Sequence, residues 1–129
     1  MKHTFYEKNN NWIVVENFDI DQFIVEVSWA PDFTQLELVF DPSQDYFPEL
    51  QEKIANGELE HFAVKIAAYY DSKEMSADYH GSIVHVDPST YIKDDPDNII
   101  DDMVNDVVDK ARDEALRMLD ILKQDFLDG

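Results

Sequence analysis

The sequence predicts an α+β domain: an antiparallel sheet of about five strands, in the element order βββαββα, with helices covering one face. Two observations predict this class. Apolar and polar residues alternate in short runs over the first two thirds of the chain, and one long run with helical spacing follows them. No internal repeat, low-complexity segment or interdomain linker interrupts the pattern. We therefore expect one acidic α+β domain that spans residues 1–129.

The first three strands are predicted at residues 12–18, 22–29 and 34–40. The second has the clearest alternation, with Phe23, Val25, Val27 and Trp29 on one face. Ala30-Pro31-Asp32 predicts a turn, after which Leu36, Leu38 and Phe40 repeat the alternation. Such strands are typical of an antiparallel meander that has one face in water.

A short helix is predicted from about residue 45 to residue 56, where Gly57 supplies a C-terminal stop. Two further strands are predicted at 59–70 and 77–86, joined by a polar loop of hairpin length. Pro88 is expected to end the sheet region.

The last element is a long amphipathic helix from about Asp97 to Phe126, together with the short helix packed on one face of the sheet. Its apolar residues recur every three or four positions: Ile100, Met103, Val104, Val107, Val108, Ala111, Ala115, Met118, Leu119, Leu122 and Phe126. This spacing places them on one side of a helix.

Composition separates this chain from a disordered acidic tail. Of 129 residues, 44% are hydrophobic, which suffices for a buried core, yet 29 acidic against 10 basic residues give a net charge of −19. A surface of this charge repels nucleic acid and anionic lipid and attracts cationic partners. We therefore expect no direct binding to nucleic acid and none to membranes.

The chain has no cysteine, which excludes disulfides, thiolate zinc sites and thiol catalysis. No apolar run reaches the length of a membrane span, and the first eight residues lack the apolar stretch of a secretory signal. The expected location is the cytoplasm of a bacterium or of an infected host cell.

The carboxylates gather in two regions of the sequence. Residues 9–51 contain no Lys or Arg, and the predicted sheet there carries Glu16, Glu26 and Glu37. The second region is rich in aspartate: Asp94, Asp95, Asp97, Asp101, Asp102, Asp106, Asp109 and Asp113. Its last four members are spaced by four, three and four residues, so a helix would align them as one stripe.

Two interpretations of these eleven residues stay open. In the first, they form a solvated outer surface, and those in the first helical turn are stabilised by the helix dipole. In the second, they bind a basic partner. The dipole does not account for Asp109 or Asp113, which lie beyond the first turns. Like-charge neighbours at this spacing also cost stability. We predict that all eleven are partner-binding residues.

Sequence motifs for catalysis or metal binding are weak. Residues 95–101 match a calcium loop only at its first and third positions, because Ile100 replaces the required glycine. Nucleophile-elbow, phosphate-loop and zinc-helix motifs are absent from the sequence. We expect no enzyme, no catalytic residue, no cofactor and no metal. The enzyme alternative is a metal-dependent hydrolase that uses Asp78, His80 and His85.

The function predicted from these observations is that of an acidic polyanion mimic, which inhibits a basic nucleic-acid-binding enzyme by occupying its DNA or RNA channel. In charge and size alone, the chain resembles the small cysteine-free acidic proteins of phages and mobile elements, the anti-restriction and anti-CRISPR inhibitors. One alternative is an acidic immunity protein or adaptor that neutralises a cationic toxin, and another is a plain acidic domain. A homodimer formed through the long helix also stays open.

Overall fold

The architecture is a four-stranded antiparallel sheet with a long helix across one face, in a computed structural model that describes residues 12–127. The strands are β1 (Ile13–Ile20), β2 (Phe23–Pro31), β3 (Glu60–Tyr70) and β4 (Lys73–His85). Each strand pairs with the next one along the chain, so the sheet is a simple meander.

The helices are α1 (Phe47–Ala55), α2 (Pro88–Asp94) and α3 (Ile99–Leu127), and a 3-10 turn occupies Leu36–Leu38. The predicted α+β class, the antiparallel sheet and the long C-terminal helix are confirmed. The predicted count of five strands and the order βββαββα are wrong, because two strands precede α1 and two helices follow β4.

The strand predicted at residues 34–40 is a loop that contains the 3-10 turn. The backbone N–H of Asp32 donates to the carbonyl of His61 at 3.0 Å, and the Asp32 carboxylate accepts from the Thr34 N–H at 2.9 Å, which turns the chain away. Both edges of β2 are already occupied by β1 and β3. The segment therefore cannot pair with β2, the strand that precedes it, and Leu38 is left 76% exposed.

The β3–β4 hairpin is tighter than predicted, since β4 begins at Lys73 rather than at residue 77. The turn consists of Asp71 and Ser72, whose φ angles are 50° and 66°. Two consecutive residues with positive φ are typical of a type I′ turn, which matches the twist of the paired strands.

The helix α2 was not predicted, because Pro88 was expected only to end the sheet. Proline suits the first position of a helix, where its missing N–H leaves no bond unmade. Asp87 precedes it as the N-cap, and its carboxylate accepts from the Ser89 N–H at 3.0 Å.

The core lies between α3 and one face of the sheet, where α3 contacts β4, β3 and β2. The sheet contributes Phe23, Val25, Val27, Phe62, Val64, Ile66 and Ala68, and α3 contributes Ile100, Met103, Val104, Val107, Val108 and Ala111. The Ser76 hydroxyl donates to the carbonyl of Val107 at 2.5 Å, which fixes the helix along the sheet. Burial of these side chains stabilises the fold at about 25 cal/mol per Å² of apolar surface.

Asp95 starts the long helix. Its two carboxylate oxygens accept from the backbone N–H groups of Ile100 and Asp101, each at 2.9 Å. The first N–H groups of a helix have no partner within the helix, so this side chain satisfies two of them. Asp95 also ends α2 with a φ of 42°, which an aspartate tolerates better than a branched residue does.

A buried carboxylate joins the ends of three strands. The Asp32 carboxylate accepts from the Ser82 N–H at 2.7 Å and lies 3.8 Å from Nε2 of His61, whose side chain is also buried. Burial raises the pKa of Asp32, but its hydrogen bonds from Thr34 and Ser82 and the nearby His61 leave that pKa below its usual value. Burial lowers the pKa of His61, and the opposing effect of Asp32 is smaller.

The Asp95→Ala substitution is expected to destabilise the protein by about 1–2 kcal/mol, because two helix N–H groups lose their acceptor. The side chain of the exposed neighbour Asp94 has no hydrogen bond or ion pair among residues 12–127, so Asp94→Ala is the control, expected within about 0.5 kcal/mol of wild type. Urea unfolding followed by circular dichroism measures both. Equal effects of the two variants would contradict the capping role.

A second expectation concerns pH. Because His61 is held neutral in the fold, its contribution to the free energy of unfolding depends on pH. That contribution is fully present above the unfolded pKa of about 6.5 and is lost as pH falls through the lower pKa of the folded state. The Asp32 contribution is lost only below about pH 3.9, outside this window. The unfolding free energy of wild type relative to His61→Gln should therefore be smaller at pH 5.5 than at pH 7.5. A constant difference across that range would refute a neutral, buried His61.

Candidate protein-binding surface

The outer side of α3 carries a stripe of aspartates. Ile100, Val104 and Val107 face the sheet, and the helical repeat of 3.6 residues therefore places Asp102, Asp106, Asp109 and Asp113 on the opposite side. All four are exposed. The stripe predicted from their spacing thus faces solvent on a single rigid element.

The stripe continues into the α2–α3 corner, where Asp94, Asp97 and Asp101 are also exposed. We call the seven exposed residues the acidic face: Asp94, Asp97, Asp101, Asp102, Asp106, Asp109 and Asp113. The negative charge of this corner also affects the nearby side chain of Tyr91. Burial raises the pKa of Tyr91 above its usual value, and the carboxylates of Asp97 and Asp95 raise it further.

Little in the described part of the chain neutralises the acidic face. Nη1 of Arg112 donates to Asp109 at 3.1 Å, and the same guanidinium is hydrogen-bonded to Asp21 in the β1–β2 turn. Within residues 12–127, the other six carboxylates of the face have neither a hydrogen bond nor an ion pair. They are available to an outside cation.

The remaining four predicted residues lie elsewhere. The Asp95 carboxylate is hydrogen-bonded to the N-terminus of α3. Glu16 lies at the border of the acidic face, where it lines a groove of about 280 Å³ between β1 and α3 together with Asp101 and Lys93. Glu26 lies on the opposite side of the sheet from α3, next to Tyr69. Glu37 is in the 3-10 turn, so the structure does not bring all eleven residues together.

The anionic sheet face predicted for the first three strands is not formed. The face that carries Glu26 contains the buried side chains of Ser28, Ala63 and Ala67, together with half-buried Lys65. Without a strand at residues 34–40, the acidic residues of that segment line a loop instead. The first of the two carboxylate-rich regions is therefore dispersed by the fold.

A bulge in β4 places the three residues of the alternative metal-ligand set, Asp78, His80 and His85, on one face of the sheet. His80 pairs with Val64 and Ile83 with Phe62, so the bulge at Gly81 and Ser82 puts His85 on the same face as Asp78 and His80. Their polar atoms bond locally, since Asp78 accepts from the Tyr79 N–H and His85 bonds to Asp87. Among the described residues, no three His, Asp or Glu side chains are grouped to hold a metal ion.

Sequence reasoning missed the groups that bond inside the fold. Asp32 was assigned only to a turn, although its carboxylate accepts from the Ser82 N–H of β4 and its backbone N–H donates to the His61 carbonyl of β3. The signal available was Pro31-Asp32, since an aspartate after a proline is typical of a turn in which its carboxylate accepts from the N–H two residues on, but no local pattern indicated His61 or Ser82 as partners.

None of the helices in the described part of the chain is both long enough and apolar enough to cross a membrane. No protein-family model, curated protein or solved structure matches the chain. A row of unpaired carboxylates on a rigid helix can bind an array of Lys and Arg side chains.

The Asp106→Asn substitution is expected to raise the melting temperature by about 1–2 °C at low salt. Asp106 has like charges at both helical spacings, Asp102 and Asp109, against one opposite charge, Lys110, and each such pair contributes a few tenths of a kcal/mol, so its removal relieves more repulsion than attraction. The control is Asp109→Asn, which also removes a bond to Arg112 and should bring no gain. Thermal unfolding at 10 mM and 500 mM NaCl checks both; a lower melting temperature for Asp106→Asn would contradict this account.

Proposed function

We propose that this chain is a polyanion mimic that inhibits a basic nucleic-acid-binding protein by occupying its DNA or RNA channel. The observation that carries the proposal is the acidic face, in which six of seven exposed carboxylates have no partner among residues 12–127. Like charges held this close destabilise the helix that bears them. A gain in binding is the reason we infer for keeping them together.

The spacing of the carboxylates supports the proposal. From Asp102 to Asp113 the helix rises by about 17 Å, in steps of about 6, 4.5 and 6 Å. Successive phosphates of one strand are separated by roughly 7 Å, about twice the axial rise of 3.4 Å per nucleotide. Flexible aspartate side chains can close the difference, so a cleft that positions Lys and Arg for phosphates would receive carboxylates at similar intervals.

The rigidity of the surface also favours tight binding. The stripe belongs to a helix that is packed on the sheet and capped by Asp95, so its backbone is ordered before any partner arrives. Binding then loses less conformational entropy than the folding of a disordered acidic tail would. Electrostatic attraction between opposite surfaces also accelerates association.

Capture from a bacterial lysate tests the proposal. Wild type immobilised through a tag is expected to retain nucleic-acid-binding proteins that duplex DNA displaces, with affinity that falls steeply from 50 to 300 mM NaCl. The variant Asp102→Asn/Asp106→Asn/Asp109→Asn/Asp113→Asn should bind the retained protein at least about tenfold more weakly, since exposed charge pairs contribute modest increments that add over four sites.

The matched control is Asp45→Asn/Glu49→Gln/Glu52→Gln/Glu58→Gln, which removes the same charge from exposed residues in and beside α1. It should bind nearly as wild type does. Equal losses in the two variants would mean that net charge alone acts, and would overturn the role of the acidic face. Retention of a cationic toxin that DNA does not displace would instead favour an immunity protein.

A further inference from the structure

The helix α3 continues well beyond the core that it covers. Ala111 is its last residue in the core cluster, and the helix ends at Leu127, about 24 Å further along its axis. The apolar side persists through Ala115, Met118, Leu119, Leu122 and Phe126, which we call the apolar overhang. Leu119, Leu122 and Phe126 are 47%, 50% and 82% exposed.

The overhang forms one wall of an open groove of about 480 Å³. The opposite wall is the end of the sheet, where Phe23, Tyr70 and Met75 lie beside the two hairpin turns. The side chain of Tyr70 is half exposed there. The molecule therefore presents an apolar groove and, beyond it on the same helix, a protruding apolar tip at Phe126.

The charge of this region differs from that of the rest of the chain. Residues 114–127, beyond the acidic face, contain two basic and three acidic side chains, a net charge of −1 against −19 for the whole chain. A cationic cleft has little to recognise there. The overhang is consequently suited to an apolar partner of low local charge.

We propose that the overhang binds a second copy of this chain, in a two-fold dimer of antiparallel α3 helices. A protruding tip and a groove on one molecule are both filled when two copies pair about a two-fold axis, because each tip meets the groove of the other. The proposal does not depend on the function proposed above.

The sheet dictates the antiparallel direction. It lies on the same side of α3 as the apolar overhang, so a parallel second helix placed against the overhang would run into the sheet. An antiparallel helix avoids it and brings Phe126 of each copy towards Phe23 and Tyr70 of the other. The acidic face points the opposite way and stays exposed in such a dimer.

The area suits a dimer of moderate affinity. From the exposures of the overhang and of Tyr70, pairing would cover on the order of 600 Å² per copy, somewhat below the roughly 800 Å² of a standard interface. We expect pairing in the micromolar range, at the weak end of the affinities that interfaces of this size show. Two copies of charge −19 also repel each other, so the dimer should strengthen as salt rises, the opposite of the dependence expected for a basic partner.

Sedimentation velocity of the purified chain between 1 and 200 μM tests the proposal. Wild type should change from monomer to dimer over this range, with the midpoint moving to lower concentration between 50 and 500 mM NaCl. Leu119→Glu/Leu122→Glu should remain monomeric at 200 μM. Because both side chains are about half exposed, this variant is expected to fold, which circular dichroism and thermal unfolding check.

The matched control is Leu38→Glu/Val39→Glu, which adds the same charge at exposed apolar residues of the 3-10 turn region. It should dimerise as wild type does. A wild type that stays monomeric to 200 μM, a Leu119→Glu/Leu122→Glu variant that still dimerises, or growth beyond two copies would each overturn the proposal. None of these results bears on capture through the acidic face.

Discussion

The packing of the apolar side of α3 against β2, β3 and β4 is the contact on which the other features of this protein depend. It holds a helix of 29 residues in one fixed orientation. Because one side of that helix is buried, the aspartates on the other side are fixed in solvent. Because the helix continues for 16 residues past Ala111, its last residue in the core, its apolar side emerges from the core as an exposed surface.

Aspartates have two distinct uses in this chain. Some satisfy backbone N–H groups where an element starts or the chain turns: Asp32, Asp41, Asp87 and Asp95. Among residues 12–127, those of the acidic face make one ion pair, from Asp109 to Arg112. The first group stabilises the structure through bonds that need no outside partner. The second group adds repulsion to a molecule of charge −19, and this contrast is the strongest argument that it serves binding.

The two proposed surfaces depend on different interactions although they lie on one helix. The acidic face would act through charge, so salt weakens it, whereas the apolar overhang would act through burial of apolar surface, which salt favours by screening the repulsion between copies. Their opposite directions around α3 allow both to be occupied at once. A dimer would then carry two acidic faces and could engage a two-fold symmetric partner.

Local pattern alone determined the long helix, the β2 strand and the aspartate stripe, because helical and alternating periodicities are set by residue spacing within one element. Tertiary structure decided whatever required a distant partner. The alternation at residues 34–40 follows a strand, β2, whose two edges are already occupied, Asp32 bonds to His61 and Ser82, and Glu26 was placed on the face away from α3. Spacing fixes which side chains share a face, but only the packed fold decides what that face meets.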